Sequence, residues 1–291
     1  MNIVLVGGKG MLGSDLVDAC TRKGWVPVPL DLPELDITQA SGLAEALPAC
    51  DAVINCAAFT RVDDAEKERD LCWRINADGA GHVARACAAR GLPLIHLSTD
   101  YVFNGRKGSA YLESDPVEPL NYYGASKLEG ERQVLSALGG AVVVRTQSLF
   151  GLRGRSFIRA ILNQIQQGKT SLRVVADQVS SPTFTPHLAD ALLRLVAARP
   201  PAGIINVAAR GHCSWWEFAG AIVARVKPGI QIDKLSTAEL NYPALRPAYS
   251  VLDTARYTAL AGRPMPRWEE GLDAYLAADP VAQALRKSVL G

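Results

Sequence analysis

Ile3-Val4-Leu5-Val6-Gly7-Gly8-Lys9-Gly10-Met11-Leu12-Gly13 decides the fold. Four apolar residues in a row read as a short strand buried on both faces. Gly7, Gly10 and Gly13 follow with GxxGxxG spacing, and a helical pattern runs from Met11 to Lys23 with Leu12, Leu16, Val17 and Cys20 on one face. Glycines between a strand and a helix let the backbone turn sharply and approach a pyrophosphate. The helix N-terminus adds free N–H groups and a partial positive charge. The stretch therefore marks Gly7, Gly10, Met11, Leu12 and Gly13 as a dinucleotide cradle. A glycine-rich turn alone is a weak sign, and its position between strand and helix gives it weight.

Further strands are expected at Trp25–Leu30, Asp51–Cys56, Leu92–Leu97 and Ala141–Arg145. Helical patterns lie between them: Thr38–Leu47, opened by Thr38 or Ser41; Asp63–Arg90; and Tyr122–Leu138. Residues 104–121, rich in Gly, Pro and acid, read as a loop. Apolar strands alternating with helices indicate an α/β fold with a doubly wound parallel sheet, the Rossmann class. After Phe150 the alternation loosens. We expect residues 1–150 to form the dinucleotide-binding domain, completed by 171–204. Residues 151–170 and 205–291 are expected to form a smaller C-terminal substrate-binding lobe. Ser214 with Glu217 predicts a capping box at the head of a helix running to Val226.

Asp31 ends the second strand, where an acid can accept both adenosine ribose hydroxyls and repel a 2′-phosphate. That reading suits NADH at least as readily as NADPH, and Lys9 and Arg61 are cations that would soften the preference. Asp36-Ile37 and Asn55-Cys56-Ala57-Ala58-Phe59-Thr60 end the next two connections. Ala57, Ala58 and Thr60 suit a ribose and pyrophosphate channel; for the two alanines a tight helix–sheet crossing explains them nearly as well.

A net charge of +2 without interleaved basic and aromatic residues argues against nucleic acid. No apolar run approaches ~18 residues, so no membrane span is expected. Six cysteines are scattered without a CxxC pair, which suits thiols in a reducing cytoplasm. No metal is predicted, because no His or Cys stands at ligand spacing.

Ser98-Thr99-Asp100 follows the fourth strand, on the side of the sheet where ligands bind in this class. Tyr123 and Lys127, four apart at a helix start, share one helix face. A cation beside a phenol favours its ionised form, and a hydroxyl at Thr99 can donate to a carbonyl. The three residues are candidates for one catalytic point.

These motifs also resemble a known family. Gly7–Gly13, the Asn55–Ala58 turn, Ser98-Thr99-Asp100-Tyr101-Val102-Phe103, Pro119-Leu120-Asn121-Tyr122-Tyr123-Gly124 and Lys127-Leu128-Glu129-Gly130-Glu131 are similar to the extended short-chain dehydrogenase/reductases. Among these the chain most resembles the dTDP-4-dehydrorhamnose reductases. The likeness continues through Asp177-Gln178, Pro182-Thr183 and Arg246-Pro247 to Asp253. It implies NADH- or NADPH-dependent reduction of the 4-keto group of a dTDP-linked 6-deoxy sugar. By position it implies Tyr123 as proton donor, Lys127 as holder of the nicotinamide ribose and acidifier of Tyr123, and Thr99 as the second hydroxyl. Val62 and Asp100 match positions near the sugar. Some relatives hold Mg²⁺ at a dimer contact; the resemblance leaves room for a homodimer, and nothing in the chain predicts the metal.

The chain departs from the family at Arg145-Thr146-Gln147-Ser148-Leu149-Phe150-Gly151, where Ser148 stands in place of a sugar-packing Trp. A hydroxymethyl cannot supply the apolar area of an indole. A reductase or epimerase of another nucleotide sugar therefore stays open, as does a non-catalytic regulatory subunit like that of methionine adenosyltransferase. Glu66, Glu129 and Glu131 read as surface carboxylates, and His96 as a core histidine. Arg153, Arg155 and Arg159 read equally as phosphate contacts or as a solvated face.

Overall fold

The computed structural model describes residues 1–290, with side chains through Lys287. Six parallel strands form the main sheet. In spatial order they are Val26–Leu30, Asn2–Val6, Ala52–Asn55, Leu94–Thr99, Val142–Thr146 and Gly203–Asn206. Successive strands step outward in opposite directions from Asn2–Val6. The crevice between it and Ala52–Asn55 is thus the switch point where this class binds ligands. The strands are apolar throughout because both faces are covered. Ile3 and Leu5 enter a core with the helices Met11–Arg22 and Thr185–Ala198, whereas Val4 and Val6 enter another with Ala80–Arg90. Pro27 and Pro29 are tolerated because Val26–Leu30 is an edge strand, paired on one side only.

The C-terminal lobe packs helices Phe157–Gln166, Trp215–Val226, Trp268–Ala278 and Pro280–Leu290 around Phe150, Phe184, Phe218 and Tyr275. The Ser214 and Glu217 capping box forms as expected. Trp215 and Trp216 are both half-buried against this core. The strand Ser171–Val175 does not join the main sheet, as the sequence suggested for 171–204. It pairs in parallel with Gln231–Leu235 and belongs to the lobe. Helix Thr185–Ala198 and strand Gly203–Asn206 do return to the main sheet.

One helical expectation is corrected. Thr38–Leu47 contains only the four-residue helix Leu43–Ala46, entered through left-handed Gly42 without a side-chain cap. The Asp63–Arg90 region is largely helical, as expected, in several pieces. A 3₁₀ turn at Asp64–Glu66 precedes helix Arg69–Trp73, a π-helical stretch Arg74–Gly79 and helix Ala80–Arg90. Within the π stretch, buried Asn76 accepts from Phe59 N (2.8 Å) and donates to Phe59 O (3.1 Å), fixing the segment after Ala52–Asn55. Wide turns of this kind collect at functional sites.

Candidate active site

Gly7 opens the nucleotide end. Its φ is +77°, and a Cβ there would lie 2.6 Å from Ala57 N, so the glycine turn and the Ala57 segment touch across the switch point. Gly10 is the N-cap of the helix Met11–Arg22 and has no side-chain cap. The N–H groups of Met11, Leu12 and Gly13 are therefore free to meet an anion. The Leu12 side chain itself is core.

Asp31 lies beside the turn. Its carboxylate accepts from Lys9 N (3.1 Å) and Leu32 N (3.0 Å). Lys9 is paired with Glu34 (2.8 Å), and Arg61 with Asp64 and Glu68, so neither cation is directed at Asp31. Asp36 is exposed. It accepts from the Thr38 N–H (2.9 Å) and hydroxyl (2.8 Å), which hold its carboxyl below the ordinary range. Ile37 points into the core, with its carbonyl 2.9 Å from His82 Nδ1. Ala57 and Ala58 are half-buried and Thr60 is exposed. Ala57 N donates to Asn55 Oδ1 (3.1 Å), and Asn55 in turn bonds His96 Nδ1 (3.2 Å). His96 is fully buried, and burial keeps its imidazole neutral.

The catalytic end lies at the carboxyl edge of the next strand. Thr99 terminates Leu94–Thr99, and Tyr123 and Lys127 lie on helix Tyr122–Ala137. That helix starts where Asn121 accepts from Gly124 N (2.7 Å). Gly124 is needed there, since a Cβ would meet Tyr101 O at 2.3 Å. This close approach brings Tyr123 to Thr99. The Thr99 hydroxyl lies beside the Tyr123 phenol, and the Tyr101 ring stands edge-on to that phenol at 5.8 Å. Burial pushes the phenol up, Thr99 pulls it down, and the Asp100 charge pushes it up.

Lys127 is only 2% exposed and donates to Leu97 O (2.6 Å). Burial lowers its ammonium from 10.5 to about 8, against the pull of Glu131. The Lys127 ammonium is turned to the Leu97 carbonyl, and among the groups around the phenol Thr99 is one that lowers it.

Asp100 is buried beside Thr99. It accepts from Thr99 Oγ1 (3.1 Å) and Ser250 Oγ (2.5 Å), and burial raises its carboxyl to about 7. Val62 is half-buried, next to Asp63, which pairs with Arg246 through two bonds of 3.1 and 2.7 Å. Ser148 adopts φ +46° and its hydroxyl lies 2.6 Å from that of Ser180.

The geometry is that of a dinucleotide fold carrying a buried hydroxyl–phenol–ammonium group. The RmlD substrate binding domain family matches residues 1–280. The chain belongs to this family. It is 38% identical over 285 residues to the dTDP-4-dehydrorhamnose reductase of Streptomyces griseus, covering 92% of this chain and 91% of that protein. It is 36% identical to a probable dTDP-4,6-dihydroxy-2-methyloxan-3-one 4-ketoreductase of Streptomyces antibioticus, over 94% of this chain and 93% of that one. Among solved structures, the dTDP-4-dehydrorhamnose reductase of Bacillus anthracis in complex with NADP superposes with a TM-score of 0.90. It is 35% identical and covers 95% of this chain and 98% of that one.

Several residues that build the site in this RmlD-family chain escaped sequence reading. Glu131 is not a surface carboxylate. It is 2% exposed, takes two bonds from Arg145 (2.8 and 2.7 Å) and one from Ser98 Oγ (2.6 Å), and lies one helical turn beyond Lys127. Glu66, by contrast, caps Tyr122 N at 2.8 Å and pairs with Arg69. Arg153 pairs with Asp15 and Asp18, and Arg159 with buried Asp279, so the two are committed within the chain. Thr146, in register with Thr99, has a buried hydroxyl without a partner among the described residues. Ser250 lies 150 residues from Asp100 in sequence, and no local pattern announces their bond.

Proposed function

We propose that this protein reduces the 4-keto group of dTDP-4-dehydrorhamnose to the alcohol of dTDP-L-rhamnose, using NADH or NADPH. Membership of the RmlD family and the names of its similar relatives support the reaction class. The observation that carries it is the convergence of Thr99, Tyr123 and Lys127 at the carboxyl edge of the sheet, beside the Gly7–Gly13 turn.

The turn Gly7–Gly13 would hold the pyrophosphate, Asp31 the adenosine ribose and Lys127 the nicotinamide ribose. Asp36, Ile37, Ala57, Ala58 and Thr60 would line the remaining channel. The dinucleotide supplies the hydride that goes to the carbonyl carbon. Tyr123 gives its hydroxyl proton to the carbonyl oxygen, so that the developing alkoxide is quenched as it forms. Thr99 stands beside Tyr123 and lowers the phenol, which favours the phenolate left behind. Lys127, charged below about pH 8, adds positive potential to the same point. Val62 and Ser148 would face the sugar, with Asp100 near it behind Thr99. In this division of labour the six-stranded half holds the cofactor, and the lobe of Phe157–Gln166, Trp215–Val226 and Trp268–Ala278 holds the nucleotide-sugar. Six free thiols fit a cytoplasmic location.

A second reading, ketoreduction of a different dTDP-linked sugar, is favoured by the polar Ser148–Ser180 pair where the family resemblance leads one to expect an indole. The test is cofactor oxidation with a panel of dTDP-4-keto sugars. Tyr123→Phe should lower kcat at least 100-fold with NADPH still bound. Wild-type turnover in that variant would refute the assignment of the proton donor.

A further inference from the structure

A polar row, Tyr123–Thr99–Asp100–Ser250, runs through the buried side of the site, with bonds to Asp100 from Thr99 (3.1 Å) and Ser250 (2.5 Å) and the phenol beside the Thr99 hydroxyl. Its polarity is constrained by counting protons. A hydroxyl has one proton to donate and two lone pairs to accept with. Thr99 Oγ1 already accepts from Tyr101 N at 3.2 Å. One acceptor position is left, and one proton.

With Asp100 as a carboxylate, both its oxygens accept: from Thr99 and from Ser250. Thr99 has then spent its proton on Asp100, and its remaining lone pair can only receive the Tyr123 proton. The phenol points away from any substrate. With Asp100 protonated, its O–H donates to Thr99, Thr99 donates to the Tyr123 oxygen, and the Tyr123 proton is released toward a carbonyl. The arrangement thus has two states that differ in direction, with the same heavy-atom positions.

We propose that Asp100 is a positioning residue that, acting through Thr99, sets whether the Tyr123 hydroxyl points at the substrate or back into the protein. This rests on the assignment of Tyr123 as proton donor. The charged and titratable groups around Asp100 are few. Tyr101 and Tyr123 face it, Arg246 and Asp63 stand behind Tyr101, and Ser250 comes from the segment that crosses over the site. The Asp100 carboxyl, raised to about 7 chiefly by burial, changes state near neutral pH. Reduction is then supported below that pH and lost above it, a full unit before the Lys127 ammonium, at about 8, gives up its proton.

The test is the alkaline limb of kcat for ketosugar reduction, measured with saturating NADPH on the full-length protein. In the wild type its midpoint should lie near 7. Asp100→Asn cannot ionise, and its amide donates permanently; whatever its absolute rate, its limb should move about one unit alkaline, to that of Lys127. Ser250→Ala removes a bond that stabilises the carboxylate, so its limb should also move to higher pH. A merely structural role for Asp100 or Ser250 would lower kcat and leave the midpoint in place. Midpoints matching the wild type in both variants would overturn the proposal. Wild-type turnover in Tyr123→Phe would instead overturn the underlying assignment.

Discussion

Replacing Lys127 by methionine should abolish turnover and make the protein more stable. The ammonium is 2% exposed and has one hydrogen-bond acceptor, Leu97 O at 2.6 Å. Its fall from 10.5 to about 8 is caused first by burial. Such a drop corresponds to about 3 kcal/mol of unfavourable burial wherever the amine is charged in both folded and unfolded chains. Methionine fills nearly the same volume without charge. Losing the bond to Leu97 O costs about 1 kcal/mol, which leaves a net gain of about 2 kcal/mol at pH 7. For a chain of this size that is a rise in Tm of about 3 °C. Between pH 8 and 10.5 the unfolded wild type binds a proton that the folded state lacks, so wild-type stability rises with pH. The advantage of Lys127→Met should therefore be full below pH 8, shrink above it, and become a deficit of about 1 kcal/mol, that of the lost bond, by about pH 10.5. Urea denaturation of both proteins at pH 7, 9 and 10.5 measures it. A variant less stable than wild type at pH 7, or a gap that does not narrow with pH, would refute the reasoning.

Glu131→Gln should cost about 3 kcal/mol by urea denaturation, because it strands the buried Arg145 guanidinium. It should also move the Lys127 limb of activity to lower pH, since Glu131 holds that ammonium up. A loss under 1 kcal/mol would return Glu131 to the surface role expected from sequence. Gly7→Ala places a Cβ 2.6 Å from Ala57 N at φ +77°. It should weaken NADPH binding, followed by fluorescence, more than tenfold, and full binding would remove the turn from the cofactor site. Arg246→Ala frees the segment that Asp63 and Asn121 pin over the site. KM for the sugar nucleotide should rise roughly tenfold with the NADPH dissociation constant unchanged; Asp63→Asn should add little to it, because the two act as one pair.

Much of this was legible in the chain. Apolar runs such as Ile3–Val6 and Val142–Val144, bounded by turns and alternating with helical patterns, read as strands buried on both faces, and a glycine turn follows the first of them. The four-residue spacing of Tyr123 and Lys127 survives in any helix. The misreadings share a cause. Thr38–Leu47 has helical composition, yet packing gives it only one short turn at Leu43–Ala46. Ser171–Val175 has a strand pattern, and pattern says nothing about which strand it pairs with. Glu131 looks like any helix carboxylate until Arg145, on the adjacent strand, is seen to bury it.

The sequence alone determined the class of fold, the place of the glycine turn and the helix that carries Tyr123 and Lys127. These depend on period and on short spacing, which a linear chain records directly. Only the tertiary structure decided what surrounds the phenol. Thr99, Asp100 and Ser250 meet there from a strand end, the turn after it and a segment 150 residues further along. Lys127 faces Leu97, and Glu131 is buried by Arg145. Burial and long-range hydrogen bonds set these proton affinities, and both are properties of what is packed around a group, which the order of residues does not state.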